Sequence, residues 1–279
     1  MNPDRKQATR ELLDFYLEAG VDAALGEVAI DRFADPVEAA PRPPTAQPEP
    51  RDESPERFRP WPAVAATPAP ISPDGAVMAA REEARGAKTL DELKSILGGF
   101  TGCPLRATAT QLVFADGNPQ GRVMFVGEAP GRDEDLAGLP FVGRSGQLLD
   151  RMMAAIGLTR ANAYIANIVP WRPPGNRTPT PQESAICLPF TLRQIELADP
   201  DVLVCLGGPS AQTLLGTRDG ILRTRGRWFP FQTGAREIRA TATLHPAYLL
   251  RQPLQKRLAW RDFLAIKKAL GAAPDTTSP

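Results

Sequence analysis

Four apolar, β-rich runs punctuate the chain from residue 122 onward: RVMFVG (122–127), AYIANIV (163–169), DVLVCLGG (201–208) and EIRATATLH (237–245). Short continuous apolar runs bounded by Gly, Pro and polar clusters predict buried strands. Between them the apolar spacing changes from continuous to helical. Leu148, Leu149, Met152, Met153 and Ile156 share one helical face, with Ser145 placed to cap it. TPQESAICLPFTLRQIELA (180–198) and PSAQTLLG (209–216) predict helices in the next interval. KTLDELKSILGG (88–99), closed by glycines, predicts a short helix before the first run, and LQKRLAWRDFLAIKKAL (254–270) one after the last. Strands alternating with helices predict a three-layer α/β/α domain built on a central, mainly parallel, four-stranded sheet.

The front of the chain obeys other rules. Leu12, Leu13, Tyr16, Leu17, Val21 and Leu25 lie near helical spacing, which predicts an amphipathic helix over residues 6–26. Its apolar stripe needs a partner, either the body or another protein. Residues 31–75 hold 12 of the 30 prolines, mixed with alanine and charge. Such a segment buries too little apolar surface to order itself and reads as an extended linker. The expected organisation is an N-terminal helix (1–30), a Pro-rich linker (31–75), one α/β domain (76–270) and a flexible tail (271–279).

Charge changes this picture only when it is divided along the chain. The net charge is +1, yet residues 1–75 carry 8 Lys and Arg against 14 Asp and Glu, while residues 76–270 carry 25 against 17. An acidic front precedes a basic body, which suits a polyanionic partner for the body; the alternative is a solvated surface of arginines. Cys103, Cys187 and Cys205 form no CxxC pair, and their odd number argues against a disulfide framework. The first residues lack an apolar signal core, and no apolar run approaches the length of a membrane span. A soluble, cytoplasmic monomer without membrane contact is expected.

The chemistry lies where the strands end. VGEAPGRDEDLAGLPFVG (126–143) leaves the first run rich in glycine and carrying four acids, with no Lys, Ser or Thr. A loop for a triphosphate wants cations and backbone amides, so a nucleotide-phosphate enzyme is disfavoured. Asn167 closes the second run and His245-Pro246 closes the last. Ligands of open α/β sheets bind beyond the carboxyl ends of the strands, so these groups converge on one crevice.

GEAPGRDEDLAGLPFVGRSGQLL, NIVPWRPPGNRTP and HPAYLL resemble, in order and spacing, the three signature segments of the family 4 (iron–sulfur type) uracil-DNA glycosylases. The likeness covers roughly residues 100–270. It implies an enzyme that flips uracil out of DNA, hydrolyses the N-glycosidic bond and leaves an abasic site for base-excision repair. The residues suit that task, because a base must be unstacked and enclosed before it is cut. By the resemblance, Phe141 stacks on the base and backbone N–H groups around Glu128 and Ala129 face a base carbonyl. Asn167 would accept from uracil N3–H and donate to O4, a pattern that cytosine reverses; otherwise it is a buried amide satisfied by backbone. His245, the only histidine, would donate to O2 as the base departs as an anion. Glu128 would orient water, and Glu134 would assist catalysis, position Glu128 or crowd the thymine methyl.

Leu249, Leu250 and Arg251 suit a wedge for the gap left by a flipped base, or else the two leucines belong to the core. Arg172 and Arg177 offer phosphate contacts on a proline-rich loop, or are simply solvated. Other readings remain: a glycosylase of broader scope (hypoxanthine or xanthine), or a DNA- or partner-binding module without catalysis. The chain departs from the family at its metal. Cys103 and Cys187 match two of four cluster ligands, but Phe100 and Trp171 stand at the other two positions. Two thiolates cannot hold a [4Fe–4S] cluster, so no cofactor is expected and the two aromatic residues should fill its volume. One subgroup of the enzymes it resembles traps the abasic sugar through a histidine in an inserted basic loop; the loop after NIV here lacks histidine, so the resemblance implies turnover without a covalent DNA adduct.

Overall fold

A computed structural model describes residues 73–271. The predicted N-terminal helix, most of the predicted linker and nearly all of the tail lie outside the described residues. The body opens with two helices, α1 (Pro73–Gly86) and α2 (Leu90–Gly99). The first was not legible in the sequence; the second is capped by the Thr89 side chain, which accepts from the Glu92 N–H. Then come β1 (Ala115–Gly117), β2 (Val123–Gly127), α3 (Arg132–Ala137), α4 (Arg144–Ala154) and β3 (Tyr164–Asn167). The chain continues through α5 (Pro181–Ala198), β4 (Val202–Leu206), α6 (Gly208–Leu215) and α7 (Ile221–Thr224). The order closes with β5 (Trp228–Gln232), β6 (Glu237–Thr243), α8 (Pro246–Arg251) and α9 (Lys256–Gly271).

Among the described residues the strands form one six-stranded sheet in the order β1-β3-β2-β4-β6-β5. Its inner four are the four predicted runs, all parallel. The expectation of four strands is corrected by β1 and β5, which pair antiparallel with β3 and β6 at the two edges. The inner strands alternate faces residue by residue. Val123, Phe125, Ile165 and Val204 meet Leu149, Met153, Phe263 and Ile266 from α4 and α9. Met124, Val126, Ala166, Leu203 and Cys205 meet α1, α2, α5 and α6 on the other face. The three-layer reading stands.

Local signals place the start of α5 and misplace that of α4. Pro181 starts α5, Thr180 caps it by accepting from the Glu183 N–H, and the Glu183 side chain accepts in return from the Thr180 N–H. For α4 the cap is Gly143, not Ser145, which lies inside the first turn. No helix among the described residues is long and apolar enough to cross a membrane.

Candidate active site

The carboxyl ends of the four parallel strands open into a cavity of about 590 Å³. Glu128, Ala129 and Phe141 reach it from the segment after β2, Asn167 from the end of β3, and His245 from just beyond β6. Sheet register explains the convergence. Gly127 and Asn167 are direct partners at the ends of β2 and β3. The next residues stay zipped, with Ile168 N–H donating to the Gly127 carbonyl at 3.1 Å and Val169 N–H to that of Glu128 at 3.0 Å. The turn after β2 therefore cannot drift away from Asn167.

Gly127 is needed for space. A Cβ there would lie 2.4 Å from Asn167 Oδ1 and 2.6 Å from the Phe141 ring, so any side chain would displace both. Composition shows this glycine as part of a turn; only the register shows that it seats an amide and an aromatic ring side by side. Phe141 is 5% exposed, and its ring centroid lies 5.6 Å from that of His245 at 32°. Its φ of 55° is unusual for a large side chain.

Two buried oxygens of the site have no hydrogen-bond partner among the described residues: Glu128 Oε1 and Asn167 Oδ1. An unsatisfied buried polar group costs about 1–3 kcal/mol. Both line the same cavity, and Asn167 is only 4% exposed. Burial pushes the Glu128 carboxyl above its ordinary range, opposed by a hydrogen bond from Thr178. His245 is pulled down to about 4 by burial and by the nearby Arg251 charge. Its Nδ1 accepts from the Ala247 N–H at 3.1 Å. A neutral imidazole that accepts at Nδ1 carries its proton on Nε2, which remains available to donate.

Glu134 is differently employed. One carboxylate oxygen accepts from Gly131 N–H at 3.1 Å and the other from Gly143 N–H at 3.0 Å. It clasps the N-cap of α3 to the N-cap of α4 and so shapes the cavity wall. Leu249 is 1% exposed and packs with Leu244 and Ala259, which corrects its reading as a wedge; of the two leucines, Leu250 is the exposed one. Arg251 lines the cavity. Arg177 also lines it but makes a two-pronged pair with Glu183, at 2.7 and 2.8 Å. Arg172 Nε donates to Asn176 Oδ1 at 2.7 Å, and its guanidinium lies 4.0 Å from Asp135.

Behind the sheet, Phe100, Cys103, Trp171 and Cys187 are all buried in one core cluster. Phe100 meets Phe190 edge-on at 5.0 Å, and the sulfurs of Cys103 and Cys187 lie 3.8 Å apart. No group of three or more His, Cys, Asp or Glu side chains suited to a metal occurs among the described residues. The third thiol, Cys205, is fully buried on β4 and pushed up to about 12, as fits a core residue.

Residues 114–264 match the family model of the uracil DNA glycosylase superfamily. The Type-4 uracil-DNA glycosylase of Archaeoglobus fulgidus is 38% identical over 193 residues, covering 68% of this chain and 97% of that protein. Its counterpart from Thermotoga maritima is 45% identical over 152 residues, 54% of this chain and 78% of that one. The one from Saccharolobus solfataricus is 36% identical over 179 residues, 62% and 83% of the two chains.

Proposed function

From a chain that belongs to the uracil DNA glycosylase superfamily, we infer an enzyme whose strand-end cavity reads an extruded uracil through Asn167 and releases it with help from His245. The protein is a uracil-DNA glycosylase: it hydrolyses the bond between uracil and deoxyribose, the first step of base-excision repair. The observation that carries the assignment of residues is the pair of buried, unpartnered oxygens on Glu128 and Asn167, in one cavity with a histidine that keeps its Nε2 proton.

Uracil presents O4 and N3–H on one edge and O2 beside the glycosidic bond. Asn167 Oδ1 accepts from N3–H while its amide nitrogen donates to O4, and the ring stacks on Phe141. As the C1′–N1 bond lengthens, its electron pair leaves with the base and negative charge grows on O2. His245 donates from Nε2 to that oxygen, a contact that strengthens as charge develops. The sugar becomes an oxocarbenium ion, which Glu128 stabilises by its charge. Water held by Glu128 attacks C1′ and yields a proton to the carboxylate; the uracil anion takes up a proton from solvent on release, and Glu128 returns its own to solvent. Ala129 contributes its backbone N–H to the base. Leu250 fills the vacated stack, while Arg251, Arg172 and Arg177 face the phosphates; the Glu183 pairing gives Arg177 a weaker share.

The deciding experiment uses a labelled oligonucleotide with a single uracil. Incubation and then alkali should cut the strand at that position, and tight binding without a cut would make the protein a non-catalytic module.

The acid side of the rate profile tests Glu128. Its carboxylate form is the active one and its pKa is raised, so activity should fall with decreasing pH at a point above the ordinary carboxylate value of 4.5. His245 stays neutral down to about 4 and adds no loss above that. Single-turnover rates across pH should therefore show an acid limb that flattens in Glu128→Gln; a limb that survives this substitution unchanged would belong to another group.

The iron–sulfur cluster of the family does not fit these residues. Two of the four ligand positions carry buried aromatic rings, and the remaining thiols are already within sulfur contact. We propose that the space is an apolar plug and that no catalytic step involves iron. Purified protein should contain far less than one iron per chain and lack broad visible absorbance. Stoichiometric iron would overturn the plug.

A further inference from the structure

Phe141 sits in the left-handed backbone region at φ 55°, which a bulky aromatic residue adopts only when its surroundings enforce it. Two neighbours enforce it, and neither lines the cavity. The first is Arg160, in the connection from α4 to β3. Its Nη2 donates to the Phe141 carbonyl and its Nη1 to the Pro140 carbonyl at 3.1 Å. The same guanidinium is aimed from behind by Asp150 of α4, which accepts from Nε at 2.9 Å, and by Asp116 of β1. The second is Gly146. A Cβ built there would fall 1.6 Å from the Phe141 carbonyl oxygen and 2.0 Å from its carbon. The Phe141 carbonyl thus occupies the volume that any side chain at 146 would take.

We infer that Arg160 is a positioning residue for the glycosylase reaction, holding the Phe141 backbone in its strained turn across the bare face of Gly146 so that the ring faces the base. This rests on the proposed reading of Phe141 as the stacking platform. It also gives a function to the short edge strand β1, which supplies Asp116 as one of the two carboxylates that orient the guanidinium. A lysine cannot replace this arginine, because one ammonium cannot serve two carbonyls and two carboxylates in a planar fork.

The test is a double-mutant cycle on a uracil-containing oligonucleotide. Arg160→Ala and Arg160→Lys should each lower kcat/KM by about 10- to 100-fold, the scale of a released backbone strain. In a Phe141→Ala background the same changes should cost nothing further, since the platform is already gone. Arg160 also holds ion pairs, so Gly146→Ala supplies a second arm that does not depend on them. Helix propensity favours alanine inside α4, whereas the clash with the backbone carbonyl of residue 141 predicts a loss in kcat/KM of similar size; the clash remains in Phe141→Ala, but the share of the loss that acts through the ring disappears there. Losses that persist in full without Phe141, or a fully active Gly146→Ala, would overturn the inference. If Phe141→Ala alone leaves activity intact, the platform reading itself falls and takes this inference with it.

Discussion

His245→Ala should slow uracil release by about 10²- to 10³-fold in single-turnover assays, the scale of one donor lost from a site of developing negative charge. The geometry makes the effect specific. The Ala247 N–H occupies Nδ1, so the mobile proton of the ring is on Nε2, and the depressed pKa keeps the ring neutral across the physiological range. A neutral donor attracts the ground-state carbonyl weakly and the departing anion strongly. Substrate affinity should therefore change far less than the rate. A variant that binds tenfold worse but cleaves at an almost normal rate would show that His245 shapes the cavity rather than stabilising the leaving base.

Asn167→Asp should remove the preference for uracil, lowering its kcat/KM relative to cytosine by at least about 100-fold. Asparagine offers one acceptor and one donor in fixed positions, matching N3–H and O4. An ionised aspartate would turn two acceptors toward that edge and repel O4. Burial next to the half-buried Glu128 pushes such a carboxyl toward its protonated form, which donates to cytosine N3 and accepts from its amino group. The comparison needs paired oligonucleotides differing at one base, with rates for both. Retained discrimination would mean that another group reads the Watson–Crick edge and that the unpartnered Oδ1 has a different purpose.

Much of this site was legible because its residues stand at strand ends. The four inner strands announced themselves as continuous apolar runs, and the carboxyl end of such a run in an α/β sheet faces the ligand. Glu128, Asn167 and His245 follow β2, β3 and β6 on that ground, whereas Phe141, well past β2, was legible only through the motif likeness; all four line one cavity. The edge strands were not legible for reasons that belong to edges. β5 contains Pro230, which lacks an N–H, and an edge strand tolerates this; β1 is three residues with no apolar pattern. The start of α4 was misread because Ser145 is a good cap by type, while the bonds that Gly143 N–H and the Phe141 turn make set the first turn two residues earlier.

The supporting residues escaped for a different reason. Arg160 is separated in sequence from everything it holds, and one arginine among many carries no label of its partners. Gly127 and Gly146 look like ordinary turn and helix glycines, and their necessity appears only as contacts a missing atom would make. Leu249 and Leu250 are adjacent and chemically identical, so only the rotation of α8 separates the buried one from the exposed one.

The two bonds received by Glu134 tie the N-cap amide of α3, Gly131, to the N-cap amide of α4, Gly143. Removing that one carboxylate, as in Glu134→Ala, should therefore strip amide-exchange protection from Gly131 and Gly143 together, a pairing that hydrogen-exchange measurements would read directly.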